Sequence, residues 1–285
     1  MRQVLACIDG IGNTTAVCDY AAWAARRLVA PLTYLHVIER HPERAASQDL
    51  SGSIGIDEQE ALLKALADLD AERSQLAQAH GRALLASARQ RAAAAGIDTP
   101  ALLQQHGELV EVAQSLEADA RLFVLGQHYH ATQMSRIHLD HHVERVIRAV
   151  SRPVLVVTGD HYTAPSRAVI AYDGSTTARK MVDTIAGSPL LHGLPCHIVM
   201  AGDDTAATRA SLQWAAERLT GGGFAVDTAV VPGEPERALA RYVGMQNADL
   251  LVMGAYGHSR IRHLIVGSTT TTMLRTSAVP VLILR

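Results

Sequence analysis

Short apolar runs alternate with segments of helical period along this chain. In the second half the runs predict strands near 167–172, 196–201, 225–231, 249–253 and 280–284. Runs of this kind, separated by helical patterns, point to a parallel sheet covered on both faces. The first half follows the same order, so each half reads as five strands interleaved with four helices. One helix is unusually long for a globular fold, about 57–95. Its apolar positions recur at three- and four-residue steps, and it stops at Gly96, a predicted C-cap. It reads as an amphipathic helix covering the sheet.

The two halves match each other. VLACIDG at 4–10 resembles AVIAYDG at 168–174, placing Asp9 opposite Asp173 at an offset of 164. HGELVEVAQ at 106–114 resembles PGEPERALA at 232–240, an offset of 126. ARLFVLG at 120–126 resembles ADLLVMG at 248–254, and SRPVLVV at 151–157 resembles AVPVLIL at 278–284, offsets of 128 and 127. The order is conserved, so the chain is a duplication. The fall from 164 to 126 leaves 38 extra residues in the first half, in ERHPERAASQDLSGSIG and the start of the long helix. The expected domains are 1–160, with an insertion near 39–80, and 165–285, joined by TGDHYTAPS at 158–166.

Composition narrows the class. Apolar residues make up 48% of the 285, enough for a sizeable core. The net charge is −2 and aromatic residues are 4%, which argues against a basic or base-stacking nucleic-acid surface. Cys7, Cys18 and Cys196 form no CxxC pair and suggest no disulfide framework, as expected in a reducing compartment. MRQVLACIDG lacks the features of a signal peptide, and no apolar segment is long enough to span a bilayer. A cytoplasmic protein without membrane or nucleic-acid partners is the expectation.

The candidate chemistry lies in GAYGHSRIRHLIVGSTTTT at 254–272. Gly254, Gly257 and Gly267 allow close backbone approach to a ligand, and Ser268 and Thr269 open the next predicted helix. A helix N-terminus offers free N–H groups and partial positive charge to an anion. Arg260, Arg262 and His263 add cationic character. In doubly wound sheets ligands bind beyond the carboxyl ends of the strands, where Asp173, Gly174 and Ser175 also fall. A phosphate chain suits the glycine loop, with base and ribose toward Asp173.

The spacing Gly-x2-Gly-x9-Gly-Ser resembles the ATP-binding signature of the universal stress protein family, and Asp173 and the closing VPVLIL strand resemble that family too. The resemblance covers both halves. It implies two tandem doubly wound parallel five-stranded α/β sheets, an adenine side formed by Asp173 with Val199 or Met200, and a phosphate side of Gly254, Gly257, Gly267, Ser268 and Thr269. The implied cofactor is ATP, with or without Mg, in a regulatory or stress-response protein with little or no turnover. The family's mode of association implies pairing of 153–157 with 280–284 in an intrachain pseudo-dimer, with a homodimer as a further assembly.

The first half departs from the signature. Aligned on Pro153 and Pro280, Gly267 corresponds to Asp140, Ser268 to His141 and Thr269 to His142; Gly254 survives as Gly126, but three residues on Tyr129 stands in place of Gly257. A carboxylate there repels phosphate, so the first half is not expected to bind ATP in the family manner. The replacement is rich in histidine: His128, His130, His138, His141 and His142. Their spacing matches no established zinc pattern, and exposed histidines at a helix start are the plainer reading. DGIGNT at 9–14 lacks the third glycine of a dinucleotide fingerprint and reads as a turn.

No Gly-x4-Gly-Lys-Ser/Thr loop, Gly-x-Ser-x-Gly elbow or His-Glu-x-x-His occurs. The readings that remain are a nucleotide-binding regulator, a slow ATP-hydrolysing enzyme, and a scaffold or small-ligand binder that does not use ATP.

Overall fold

The computed structural model describes residues 1–39, 56–127, 141–255 and 268–285. The first half runs β1 (Gln3–Cys7), α1 (Thr14–Leu28), β2 (Leu32–Ile38), α2 (Ile56–Ala94), β3 (Ala101–His106), α3 (Leu109–Leu116), β4 (Ala120–Gly126), α4 (His141–Ala149) and β5 (Val154–Val157). The second runs β6 (Ala168–Ala171), α5 (Thr176–Ala186), a 3-10 turn (Pro189–Leu191), β7 (Cys196–Ala201), α6 (Ala206–Gly221), β8 (Val226–Val231), α7 (Pro235–Met245), β9 (Leu250–Gly254), α8 (Ser268–Thr276) and β10 (Val281–Leu284). This is the order of elements the apolar pattern predicts.

The ten strands form one sheet, β3-β2-β1-β4-β5-β10-β9-β6-β7-β8. Each set of five is parallel, and the sets join through β5 and β10, which pair antiparallel with Leu282 opposite Leu155. Both joining strands are buried along their whole length, VLVV and VLIL. Alternate residues face opposite sides. Leu155, Val157, Leu282 and Leu284 pack into one core with α1, α2, α5 and α6. Val154, Val156, Val281 and Ile283 pack into the other with α3, α4, α7 and α8. Helices therefore cover both faces, and pairing β5 with β10 closes two edges that would otherwise template aggregation.

Equivalent main-chain hydrogen bonds recur in the two halves. Ile8 N donates to Leu35 O at 2.9 Å, and Tyr172 N to Val199 O at 2.9 Å. Phe123 N donates to Pro153 O at 3.0 Å, and Leu251 N to Pro280 O at 3.0 Å.

Helix α2 covers the sheet only with its C-terminal part. Leu85, Ala88 and Ala92 are buried, whereas Leu63, Leu66, Leu69 and Leu76 are exposed. Its 39 residues span about 58 Å at 1.5 Å each, far more than the seven-residue β2 can support. The close packing begins at Gly81, where a Cβ would lie 2.4 Å from His36 Cδ2 on β2. The helix ends in a Schellman motif, with Gly96 at φ +82 and Ile97 N donating to Ala92 O at 2.8 Å.

Candidate functional site

Within each half the chain leaves the central strand in one direction and returns on its other side. The switch lies between β1 and β4 in the first half and between β6 and β9 in the second. Loops diverge at such a point and open a crevice at the carboxyl edge. Asp9 and Gly126 flank the first crevice, Asp173 and Gly254 the second.

In the second half, Asp173 follows β6 and is exposed. Its Oδ1 accepts from Ser175 N at 2.9 Å, which fixes the carboxylate over the turn. The Ser175 hydroxyl accepts from Ala178 N at 3.1 Å and caps α5. Gly174 has φ +74, and a Cβ on it would lie 3.0 Å from Ser211 Oγ and 3.7 Å from Met200 Cε. Met200 is half-buried beside this turn, so it is the β7 residue with a side chain near Asp173. Val199 is fully buried in the core under α7 and α8, and its main-chain oxygen is taken by Tyr172 N. It therefore supports the sheet and presents no side chain to the crevice.

Gly254 ends β9 beside β6, and among the described residues a Cβ there would meet only Thr177 Cγ2, at an ordinary contact distance of 3.7 Å. Ser268 begins α8 and is exposed. Thr269 Oγ1 donates to Glu236 Oε1 at 2.9 Å, and Thr270 Oγ1 donates to Gly254 O at 3.1 Å. The start of α8 is thus tied to the end of β9 by one threonine and to α7 by the other. Gly257, Arg260 and Gly267, with Arg262 and His263, lie outside the described residues.

The first-half crevice differs at the strand end. Asp9 keeps the same turn, its Oδ1 accepting from Ile11 N at 2.9 Å. DGIGNT is a turn that leads into α1, with Gly10 N donating to Thr14 Oγ1 at 3.1 Å. Asn13, which the offset of 164 matches to Thr177, is buried at 1% exposure. Its Nδ2 donates to Gln127 O at 3.2 Å and Val157 O at 2.8 Å. Its Oδ1 is buried without a partner and lies 2.2 Å from where a Cβ on Gly126 would be. Asn13 therefore approaches Gly126 far more closely than any described residue approaches Gly254.

Beside it is a cavity of about 460 Å3, lined by apolar residues with Asp9, Glu39, His36, His80 and His142. His36 Nδ1 donates to Ile8 O at 2.8 Å, which holds the proton on Nδ1. His142 Nδ1 lies 3.2 Å from Glu39 Oε1. His128, His130 and His138, and Asp140, lie outside the described residues, as does the His141 side chain. Among the described residues no group of three His, Cys, Asp or Glu side chains is placed to hold a metal. No described helix is long and apolar enough to cross a membrane.

Sequence reasoning found the residues at the strand ends and missed those that reach in from helices. The contacts of Asn13, Ser211 and Glu236 at these strand ends become visible only when the helices and turns are placed. Matching Asn13 to Thr177 through the repeat was the one available signal.

A duplicated doubly wound α/β chain, with an Asp-Gly turn and a glycine-ended strand at each switch point, defines the class. The chain belongs to the universal stress protein family, whose sequence profile matches residues 1–158 and 166–285. Universal stress protein Slr1230 of Synechocystis sp. (strain ATCC 27184 / PCC 6803 / Kazusa) is 36% identical over 288 residues, an alignment spanning all of both chains. The crystal structure of a universal stress protein from Archaeoglobus fulgidus DSM 4304 has a TM-score of 0.73 at 21% identity, covering 99% of this chain and 98% of that one. Protein PA1789 of Pseudomonas aeruginosa PAO1 has a TM-score of 0.62 at 15% identity, covering 100% of this chain and 92% of that one. At these identities the two structures speak to fold alone.

Proposed function

We propose that the chain is a stress-response regulator that binds one ATP in its C-terminal half, with little or no turnover. The observation that carries this reading is the contrast at the two switch points. Among the described residues, a Cβ on Gly254 would meet only Thr177 at an ordinary 3.7 Å, while one on Gly126 would collide with Asn13 at 2.2 Å. The residues fit the nucleotide. Asp173 and Met200 would hold the adenine side. Gly254, Gly257, Gly267, Ser268 and Thr269 would hold ribose and phosphates, with Arg260 adding positive charge. The partial positive charge at the start of α8 suits phosphate oxygens. Gly174 and Ser175 shape the turn that aims Asp173. ATP, with or without Mg, would supply a bound-state signal, read through shape or partners. In this reading the two halves act as an intrachain pseudo-dimer about the β5–β10 pair, in the cytoplasm, with a homodimer as a further assembly.

The test is calorimetry with ATP on the intact protein and on Gly267→Asp, which copies the first half. One ATP per chain, lost in the variant, is the expected result. Phosphate release well above background, also lost in the variant, would favour a slow ATPase. No binding at all would make the glycine loop structural and favour the scaffold.

A further inference from the structure

A second cavity, of about 250 Å3, lies at the seam between the halves. Its apolar wall is Leu28, Leu122, Ile185, Leu191, Leu282 and Leu284, all members of the core under α1 and α5. Arg2, Arg121 and Arg152 also line it, and no carboxylate does. Arg121 Nη1 donates to Leu28 O at 2.9 Å, and Arg152 Nε to Glu117 O at 3.2 Å. These acceptors are main-chain oxygens, so neither bond neutralises the guanidinium. The Glu117 carboxylate itself turns to Ser151 N at 2.5 Å. Arg2 has no hydrogen bond or ion pair among the described residues.

The duplication shows what such a place is shaped to hold. The offsets of 164 and 128 match Thr184 of this cavity to Tyr20, Arg2 to Ser166, Arg121 to Asp249 and Leu122 to Leu250. At the related place the connector between the halves fills the space. Tyr162 packs edge-on against Tyr20, ring centroids 4.8 Å apart. Asp249 is satisfied there by Ser166 N at 2.8 Å and by the Ser166 hydroxyl. A single connector can occupy only one of two related places. The other is left as a cavity of about a ring's bulk, with Arg121 and Arg2 where the filled place has Asp249 and Ser166.

We propose that the seam cavity is a binding site for a small aryl carboxylate, its ring taking the place that Tyr162 takes in the other half and its acid meeting Arg121 and Arg2. The apolar wall favours the ring by excluding water. The arginines favour a carboxylate, which they can grip with paired N–H donors. The size agrees, since about 250 Å3 falls below the roughly 300–1,000 Å3 of drug-sized pockets. The site is independent of the ATP reading, because neither strand-end crevice contributes a lining carboxylate or glycine loop to it.

The test is calorimetry of the full chain with 3-phenylpropionate, with neutral 3-phenylpropanol, and with inorganic phosphate. Saturable binding of one phenylpropionate per chain is expected, with the alcohol at least about tenfold weaker and phosphate silent, since a hydrogen-bonded charge contributes about 1.5–3 kcal/mol. Arg121→Gln is expected to weaken binding by about tenfold or more on the same grounds. Arg2→Gln alters a side chain with no hydrogen bond or ion pair among the described residues, so it keeps the test valid should Arg121→Gln fold poorly. Thr184→Tyr, which restores the bulk of Tyr20, is expected to abolish binding and leave ATP binding unchanged. Absence of saturable phenylpropionate binding, or equal affinity in wild type and both arginine variants, would overturn the proposal.

Discussion

Asn13 donates from Nδ2 to the main-chain oxygen of Val157 at 2.8 Å, tying the start of α1 to the end of β5 across 144 residues of chain. The same amide group also donates to Gln127 O. One side chain thus fastens the carboxyl ends of two strands at the first switch point and packs over Gly126. Replacing Asn13 by alanine removes both bonds, leaving Val157 O with its bond from Gln127 N at 2.9 Å and Gln127 O without the amide donor. The expected loss is about 1–3 kcal/mol of stability, measured by urea unfolding. A loss below about 0.5 kcal/mol would mean that water satisfies those oxygens just as well.

The two strand-end glycines give opposite expectations. A methyl on Gly126 would collide with Asn13, so Gly126→Ala is expected to cost about 1–3 kcal/mol and leave ATP binding intact. Among the described residues, a methyl on Gly254 meets only Thr177, at ordinary contact distance. Gly254→Ala is expected to change stability by less than about 0.5 kcal/mol while weakening ATP binding. Unfolding curves and ATP titrations on both variants separate the effects. Unchanged ATP affinity in Gly254→Ala would remove that glycine from the site.

Glu236 places a carboxylate against Thr269 at the start of α8. A negative charge there competes with phosphate for the same helix terminus. Without Mg, Glu236→Gln is expected to tighten ATP binding about two- to fivefold, the equivalent of roughly 0.3–1 kcal/mol at a helix end. Weaker binding in the variant would show that the carboxylate supports the nucleotide instead.

Burial raises the Cys18 thiol to about 12, with a smaller contribution from Asp19 and a partial offset from Arg91, and raises Cys196 to about 11. In the unfolded chain these thiols ionise near 9. Between those values the folded state binds more protons than the unfolded one. Their contribution to stability is therefore complete below about pH 8.5 and is lost as pH rises through the folded values. Unfolding free energy is expected to fall from pH 9 to 11, and to fall less steeply in Cys196→Ala. Both thiols are also expected to resist alkylation at pH 8 until the chain is unfolded.

The apolar pattern alone determined the elements, their order and the duplication, because a strand buried on both faces must be apolar throughout and a covering helix must repeat every three or four residues. The positions of Asp173, Gly254 and Ser268 followed, since residues after a parallel strand fall at its carboxyl edge whatever the packing. Tertiary structure decided what reaches those edges from elsewhere. Asn13 reaches Gly126 from the turn before α1, Glu236 reaches Thr269 from α7, and Val199 is withdrawn into the core by the strand's alternation. The long helix reads as amphipathic over its full length, yet only its C-terminal part finds a sheet to cover, because β2 is too short for the rest. The seam cavity was invisible in the sequence for the same kind of reason. It exists because two copies of one fold meet across β5 and β10, and their single connector can fill only one of two equivalent spaces.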